Sequence, residues 1–540
     1  MARKTRRPQA ATQTNLDVIT TACPGCGRNR TIDYYNRRTL TTLQGVVRYR
    51  LQIRRCHAFA CPLYRRPCRP EAEGRLALPH HEFGLDILAL VGALRYTEHQ
   101  TVPEIHRSLT RRGLVLAERT VTNLLDRYDE LRALSVADIP RRKDLFQKQG
   151  QVILALDGLQ PDVGHEILWV LRDCLSGEVL LAKSLLSATQ DDLAGLLREV
   201  KEGLDGIAVP VAGVVSDGQH SIRNAVAKAL PGVPHQLCHF HYLREAALPI
   251  YEADRHAKKE LKKRVRGVRK IERQVEGRND PLAEVVQGYC AAVRSALTDD
   301  GRPPLDASGL KLEDRLTAIA ASLDRLAKRG EIPKELKRLR QLLRKGLEET
   351  AALWPQVRAS FKWVHQAARV LGRCEGLSGR QVKFRLRCQL GRMRAEAVRL
   401  EQQGQTKQAQ RLEHFVKVSA SYEPGLFHCY DVKDLPRTNN DLEQFFGSYR
   451  HHERRISGRK VASASLVVRG AVRIVAAVAT RLRVVGGEEL APKNLADWQK
   501  QRAELGRRGH ARVRQRRFRR DAQAYLRDLE KEYRRLGLPA

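Results

Sequence analysis

At Gln151 the chain changes rhythm. Helical spacing gives way to short apolar runs at 152–156, 167–171 and 179–182, then a helical stretch over about 190–203. A fourth run covers 209–215, a helix follows from about 221 to 230, and residues 235–241 form a fifth run. Continuous apolar runs of this length, bounded by turn residues, read as strands buried on both faces. The spacing therefore predicts three strands, a helix, a strand, a helix and a strand, which is an α/β core. Two of these runs end in an acid: Leu154-Ala155-Leu156-Asp157-Gly158 and Val214-Val215-Ser216-Asp217-Gly218. A third acidic segment, Thr438-Asn439-Asn440-Asp441-Leu442-Glu443-Gln444-Phe445-Phe446, lies far downstream at a helix start.

The charge balance says what such a core would work on. Lys and Arg number 98 against 61 Asp and Glu, a formal charge of +37 over 540 residues. That excess repels itself unless an anionic partner covers it, and nucleic acid is the natural partner because each neutralised phosphate releases counterions. A ribosomal or architectural protein would share the charge without needing the acids. The most apolar long stretch, 461–485, is interrupted by Arg469, Arg473, Arg481 and Arg483, so it reads as a buried or half-buried helix and not a membrane span. The first residues carry charge without a following apolar stretch, so no secretory signal is expected and the cytoplasm, on the nucleoid, is the expected place. A chain this long should divide into several domains.

Eleven cysteines are present, four of them in two close pairs: Cys23-Pro24-Gly25-Cys26 and Cys56-His57-Ala58-Phe59-Ala60-Cys61. Two such pairs can supply four thiolates to a tetrahedral zinc, with a strand at 46–53 between them. Residues 16–75 are read as a zinc-ribbon-like domain, with Cys68 and His57 as spare ligands; four unrelated buried cysteines is the plainer alternative. Residues 80–135 are helical. Thr101 and Glu104 form a capping-box start, and Gly113 separates that helix from another beginning near Ala117. This is a helix-turn-helix candidate in which Arg119, Thr120, Thr122, Asn123 and Arg127 would face a DNA groove; a plain helical hairpin would look the same. Residues 136–150 read as a linker.

The core is expected over 150–244 and 426–490. Between its parts, 245–425 reads as an all-helical insertion, and 491–540 as a basic helical tail with Arg514, Arg516, Arg517, Arg519 and Arg520 close together. Trp354 and Trp363 in the insertion could stack on an unpaired base, though core packing is the commoner use of tryptophan.

Three carboxylates at Asp157, Asp217 and Glu443 could hold two divalent cations, and hard oxygen ligands suit magnesium or manganese. Each acid also has an ordinary reading. Asp-Gly after an apolar run is often a turn, and Asn440 answered by Glu443 is a helix cap. Asp162, Asp173, Asp191, Asp192 and Asp441 are rivals for the acidic roles. Cys238-x-x-His241 could be half a zinc site or a buried thiol beside a hydrogen-bonded imidazole.

Taken together, these stretches resemble the DDE-type transposases of bacterial insertion sequences, of the Mutator-like and ISL-type groups. The resemblance rests on Ala155–Gly158, Val215–Gly218, Cys238-His239-Phe240-His241 and Thr438–Phe446, followed by Arg450, Arg454, Arg455, Gly458, Arg459 and Lys460. It implies a multidomain α+β chain with an RNase H-like catalytic core interrupted by the helical insertion. It also implies Asp157, Asp217 and Glu443 as the metal-binding catalytic acids. The expected activity is binding of terminal inverted repeats, strand cleavage and 3′-hydroxyl transfer into target DNA. Double-stranded DNA is then the partner and a homodimer the working form, with no membrane involved. Arg450, Arg454, Arg455, Arg459 and Lys460 become candidates for phosphate contact. A silent DNA-binding descendant, or an RNase H-like nuclease without strand transfer, are the competing readings.

Overall fold

The structure, a computed structural model, describes residues 8–160, 166–301, 303–458 and 464–536. These pack as two compact units. The first holds residues up to Ala212, Asn224–Pro231 and everything from Asp441; the second holds Gly213–Arg223 and Gly232–Asn440.

The first unit opens with a small sheet of β1 (Thr12–Leu16), β2 (Thr31–Thr42), β3 (Gly45–Arg55) and β4 (Pro67–Cys68). Its order is β1-β3-β2, with β4 pairing the same β3. β2 and β3 form an antiparallel hairpin in which Thr42 faces Gly45. Gly45 has φ +116°, a backbone angle that favours glycine. Leu40, Tyr49, Leu51, Ile53 and Ala77 make an apolar cluster on this sheet. Long β2 was not expected from the sequence, because its first five residues are all exposed and show no apolar alternation.

Helices Leu85–Tyr96, Val102–Arg111 and Glu118–Ala137 follow. The capping box forms as read: the Glu104 amide donates to Thr101 Oγ1 at 3.3 Å and the Thr101 amide to Glu104 Oε2 at 2.6 Å. The expected linker at 136–150 is instead a helix, Ile139–Gln149. Asp138 caps it by accepting from the Arg141 amide at 3.1 Å, and Pro140 sits in the first turn, where its missing N–H costs nothing. Pro140 is a start signal here, not a breaker.

These helices are locked to the C-terminal part of the same unit by buried charge. Asp129 and Glu130 are fully buried. Arg473 lies 3.3 Å from Asp129, Arg469 lies 2.9 Å from Glu130, and Tyr96 donates to Asp129 at 2.6 Å. Trp498 donates to Glu130 at 2.8 Å. Arg469 and Arg473 belong to the helix Ala464–Leu482, so two of the four charges that argued against a membrane span are partners of buried acids. No helix among the described residues is long and apolar enough to cross a membrane.

The second sheet contains β5 (Val152–Leu159), β6 (Ile167–Asp173), β7 (Val179–Leu185), β8 (Val211–Ser216) and β9 (His235–Leu237), in the order β7-β6-β5-β8-β9. β5–β6 and β6–β7 are antiparallel, whereas β8 and β9 are parallel. Helices Gln190–Asp205 and His220–Ala229 fall where the sequence predicts them. The fifth strand is shorter than expected, because Cys238 begins a helix, His239–Ala246, by accepting from the Tyr242 amide at 3.0 Å.

The second unit is otherwise helical from His239 to Tyr422, around one core that includes Leu261, Leu316, Leu343, Phe361, Val364, Met393 and Phe415. Trp354 is 4% exposed and its indole donates to Thr350 Oγ1 at 3.2 Å, so its role is packing. Trp363 is partly buried against the same core. No strand forms around Phe427, at the start of the expected second core segment 426–490; short 3-10 turns stand there instead.

Candidate functional sites

The paired cysteines meet. Cys23 Sγ lies 3.7 Å from Cys61 Sγ, and Cys26 Sγ lies 3.6 Å from Cys56 Sγ. All four sulfurs fall within 4.8 Å of one another, and among the described residues this is the one such set of three or more metal-ligating groups. The separations are far beyond a disulfide bond of ~2.0 Å. They match the ~3.75 Å expected between sulfurs placed ~2.3 Å from a tetrahedral zinc. The loops are shaped for this: Gly27 (φ +72°) donates to the Cys23 carbonyl, and Arg65 (φ +55°) donates to the Cys56 carbonyl. At Gly25 a Cβ would stand 3.0 Å from Cys61 Sγ, so the knuckle leaves no slack there. The backbone amide of Gly25 holds the Cys23 thiol down at about 7. The Leu63 amide favours the Cys61 thiolate, yet burial and the three neighbouring cysteines push that thiol up to about 12. Four thiolates cannot gather so closely without a cation to balance them. The set can hold a metal ion such as zinc; Cys68 and His57 are not part of it.

Asp157 and Glu443 belong to the first unit and Asp217 to the second. Asp157-Gly158 is not a turn: both lie inside β5, with Asp157 opposite Val170 and Gly158 opposite Trp169. A Cβ on Gly158 would come within 3.1 Å of Ile167 and 3.3 Å of Trp169, so any side chain here would press on both neighbours. Asp217 follows β8 directly and accepts from the Gln219 amide at 3.1 Å, so it also shapes the turn into His220–Ala229. Glu443 is half-buried in the first turn of the helix Asn440–Ser457. That helix includes Asn440 as its first residue.

The rivals have structural work. Asp173 is fully buried and accepts from the Ile153 amide, Gln149 and Ser176. Asp191 pairs with Lys228, and Asp192 accepts from Ser187 and Thr189 at a helix start. Asp441 is exposed. Asp162 lies outside the described residues.

Around Asp217 the second unit forms a cavity of about 320 Å³ lined by Gly218, His220, Arg223, His241, Glu245 and Tyr422 among others. His241 thus opens onto the same cavity as the second acid. Its motif partner Cys238 is fully buried, receives the Asn439 amide on its sulfur at 3.4 Å, and caps the helix. Cys238 and His241 join no set of three close ligands among the described residues. Glu245, one helical turn after His241, and Tyr422 were not singled out from the sequence. The i, i+4 spacing from His241 placed Glu245 on the same helix face, while nothing local pointed to Tyr422.

No family model matches this sequence, and no curated protein matches it significantly.

Of the basic candidates in the helix Glu118–Ala137, Arg119 and Asn123 are exposed and Thr120 and Thr122 half-exposed. Arg127 turns inward, 3.5 Å from Glu130, and burial pulls its guanidinium down. It holds the bundle together, so a groove contact through it is not what this arrangement offers. Arg450, Arg454 and Arg455 are exposed on the helix that carries Glu443. Arg455 lies 4.0 Å from Glu104, the carboxylate of the capping box. Arg459 and Lys460 lie outside the described residues.

Proposed function

We propose that this chain is a DNA transposase of the DDE type, binding terminal inverted repeats and catalysing strand cleavage and 3′-end joining. The observation that carries the reading is the position of the two aspartates. Asp157 stands inside β5 near its end and Asp217 directly after β8, strands of one sheet, and neither forms the hairpin turn that would make an Asp-Gly pair unremarkable. With Glu443 in a helix first turn, they are three half-buried carboxylates, each carried in or directly after a regular element.

In this reading the core is RNase H-like, and Asp157, Asp217 and Glu443 hold two magnesium or manganese ions. When bound, such ions activate the attacking oxygen and stabilise the leaving one. Cleavage adds water to phosphorus, breaks the P–O3′ bond and leaves a 3′-hydroxyl. Joining lets that hydroxyl attack a target phosphodiester, exchanging one P–O bond for another. The four-cysteine cluster, as a zinc ribbon, and the exposed residues Arg119, Thr120, Thr122 and Asn123 would bind the element's ends. Arg450, Arg454 and Arg455 would hold phosphates beside Glu443. A homodimer would bring two ends together.

The test is cleavage and joining of a labelled duplex carrying the element's own ends, with the wild type and Glu443→Gln. End-specific nicking and joining, lost in the variant with DNA binding retained, is the expected result. Binding without cleavage by either protein would point to a silent DNA-binding descendant. Cleavage without joining would point to a nuclease, and cleavage that survives the substitution would remove Glu443 from the site.

A further inference from the structure

Among the side chains that the helical part of the second unit brings to the Asp217 cavity, Tyr422 packs on the turn itself. Tyr422, the last residue of the helix Thr406–Tyr422, is 3% exposed. Its ring lies against the backbone of Gly218: a Cβ there would stand 2.0 Å from the phenol oxygen and 2.1 Å from Cζ. No side chain fits, so the Asp217-Gly218 turn and the tyrosine are in direct contact. The phenol donates to Glu245 Oε2 at 2.6 Å, which ties it to the helix carrying His241. Arg223, in the helix that follows Asp217, sits 4.4 Å over the same ring and donates to the Ser421 carbonyl at 2.7 Å. Behind the ring, Tyr242 packs at 5.5 Å and bonds Ser419 at 2.7 Å, fixing the two helices to each other.

We propose that Tyr422 is a positioning residue for Asp217, so that the helical insertion sets the geometry in which this acid can hold a divalent cation. The proposal rests on the reading of Asp217 as a metal ligand. Groups that orient a ligand typically change metal affinity by about 10–100-fold when removed. Tyr422 does this by walling one side of the turn, and Glu245 by fixing where the ring stands.

The experiment is Mn²⁺ binding to the zinc-replete full-length chain, followed by the paramagnetic signal of free Mn²⁺, together with the melting temperature. Asp217→Asn should abolish one binding event. Tyr422→Phe, which keeps the ring and its packing, should weaken that event by about tenfold with little change in melting temperature. Gly218→Ala should weaken it as well. Combined with Tyr422→Ala it should be no worse than Tyr422→Ala alone, because the clash partner is gone. Unchanged Mn²⁺ affinity in Tyr422→Phe and Gly218→Ala, with binding lost in Asp217→Asn, would overturn the positioning role and leave Asp217 as a ligand. Unchanged binding in Asp217→Asn would overturn both.

Discussion

Single residues already separate the two kinds of site. The four cysteine sulfurs are close enough to share one metal ion such as zinc, and the adjoining sheet packs around a small apolar cluster. Metal binding should therefore contribute directly to folding. Purified protein is expected to carry about one zinc per chain, with loss of that metal in Cys56→Ser. Metal analysis checks the first point, and rapid amide exchange confined to residues 12–68 after chelation checks the second. Histidines give a second residue-level expectation. Burial pulls His235 and His239 down to about 4, well below the ordinary histidine value of about 6.5. Both are neutral in the folded chain at pH 7, and His239 bonds the Leu426 carbonyl at 2.8 Å. The unfolded chain takes up protons first as pH falls. The stability they contribute is thus fully present above about 6.5 and is lost progressively down to about 4. Thermal melts across that window should show a falling midpoint that flattens in His235→Gln.

At the scale of elements, the tightest joints are made by charge. Arg473 reaches buried Asp129 on the helix Glu118–Ala137 and also stands 3.8 Å from Glu453, on the helix that bears Glu443. Removing one partner of a buried pair leaves the other uncompensated, so Arg473→Ala should cost about 3–5 kcal/mol in denaturant unfolding. The elements also show what could be read in advance. The apolar runs before Asp157 and Asp217 were legible because a strand buried on both faces must be apolar at every position. The strand β2 was not, since an exposed strand carries little hydrophobic signal. Residues 235–241 misled because a short apolar and aromatic run suits either strand or helix, and only the Cys238 carbonyl, taken by the Tyr242 amide, decides. Tyr422 was illegible for a different reason: its significance lies in its contact with Gly218, just over two hundred residues earlier in the chain.

For the whole molecule, part of the excess positive charge lies along one exposed helix. Arg514, Arg516, Arg517, Arg519 and Arg520 are all exposed along the helix Leu495–Arg520. If each neutralises a phosphate, changing all five to glutamine should reduce the slope of log affinity against log salt by about 4–5, read from DNA-binding titrations at several salt concentrations. Domain limits were the least legible feature at this scale. The sequence marks a helical block at 245–425, but the packed unit also takes in the end of β8, Asp217 and β9. Composition reports which residues are helical and is silent on which strand end they embrace. The division has a consequence for biosynthesis. The second unit is encoded in two stretches, with Asn224–Pro231 of the first unit between them. A ribosome releases Gly213–Arg223 long before Tyr422 exists to close over it. During that interval the nascent Asp217 turn lacks the wall that shapes it, so this corner of the molecule can mature only after translation has passed the last helix of the insertion.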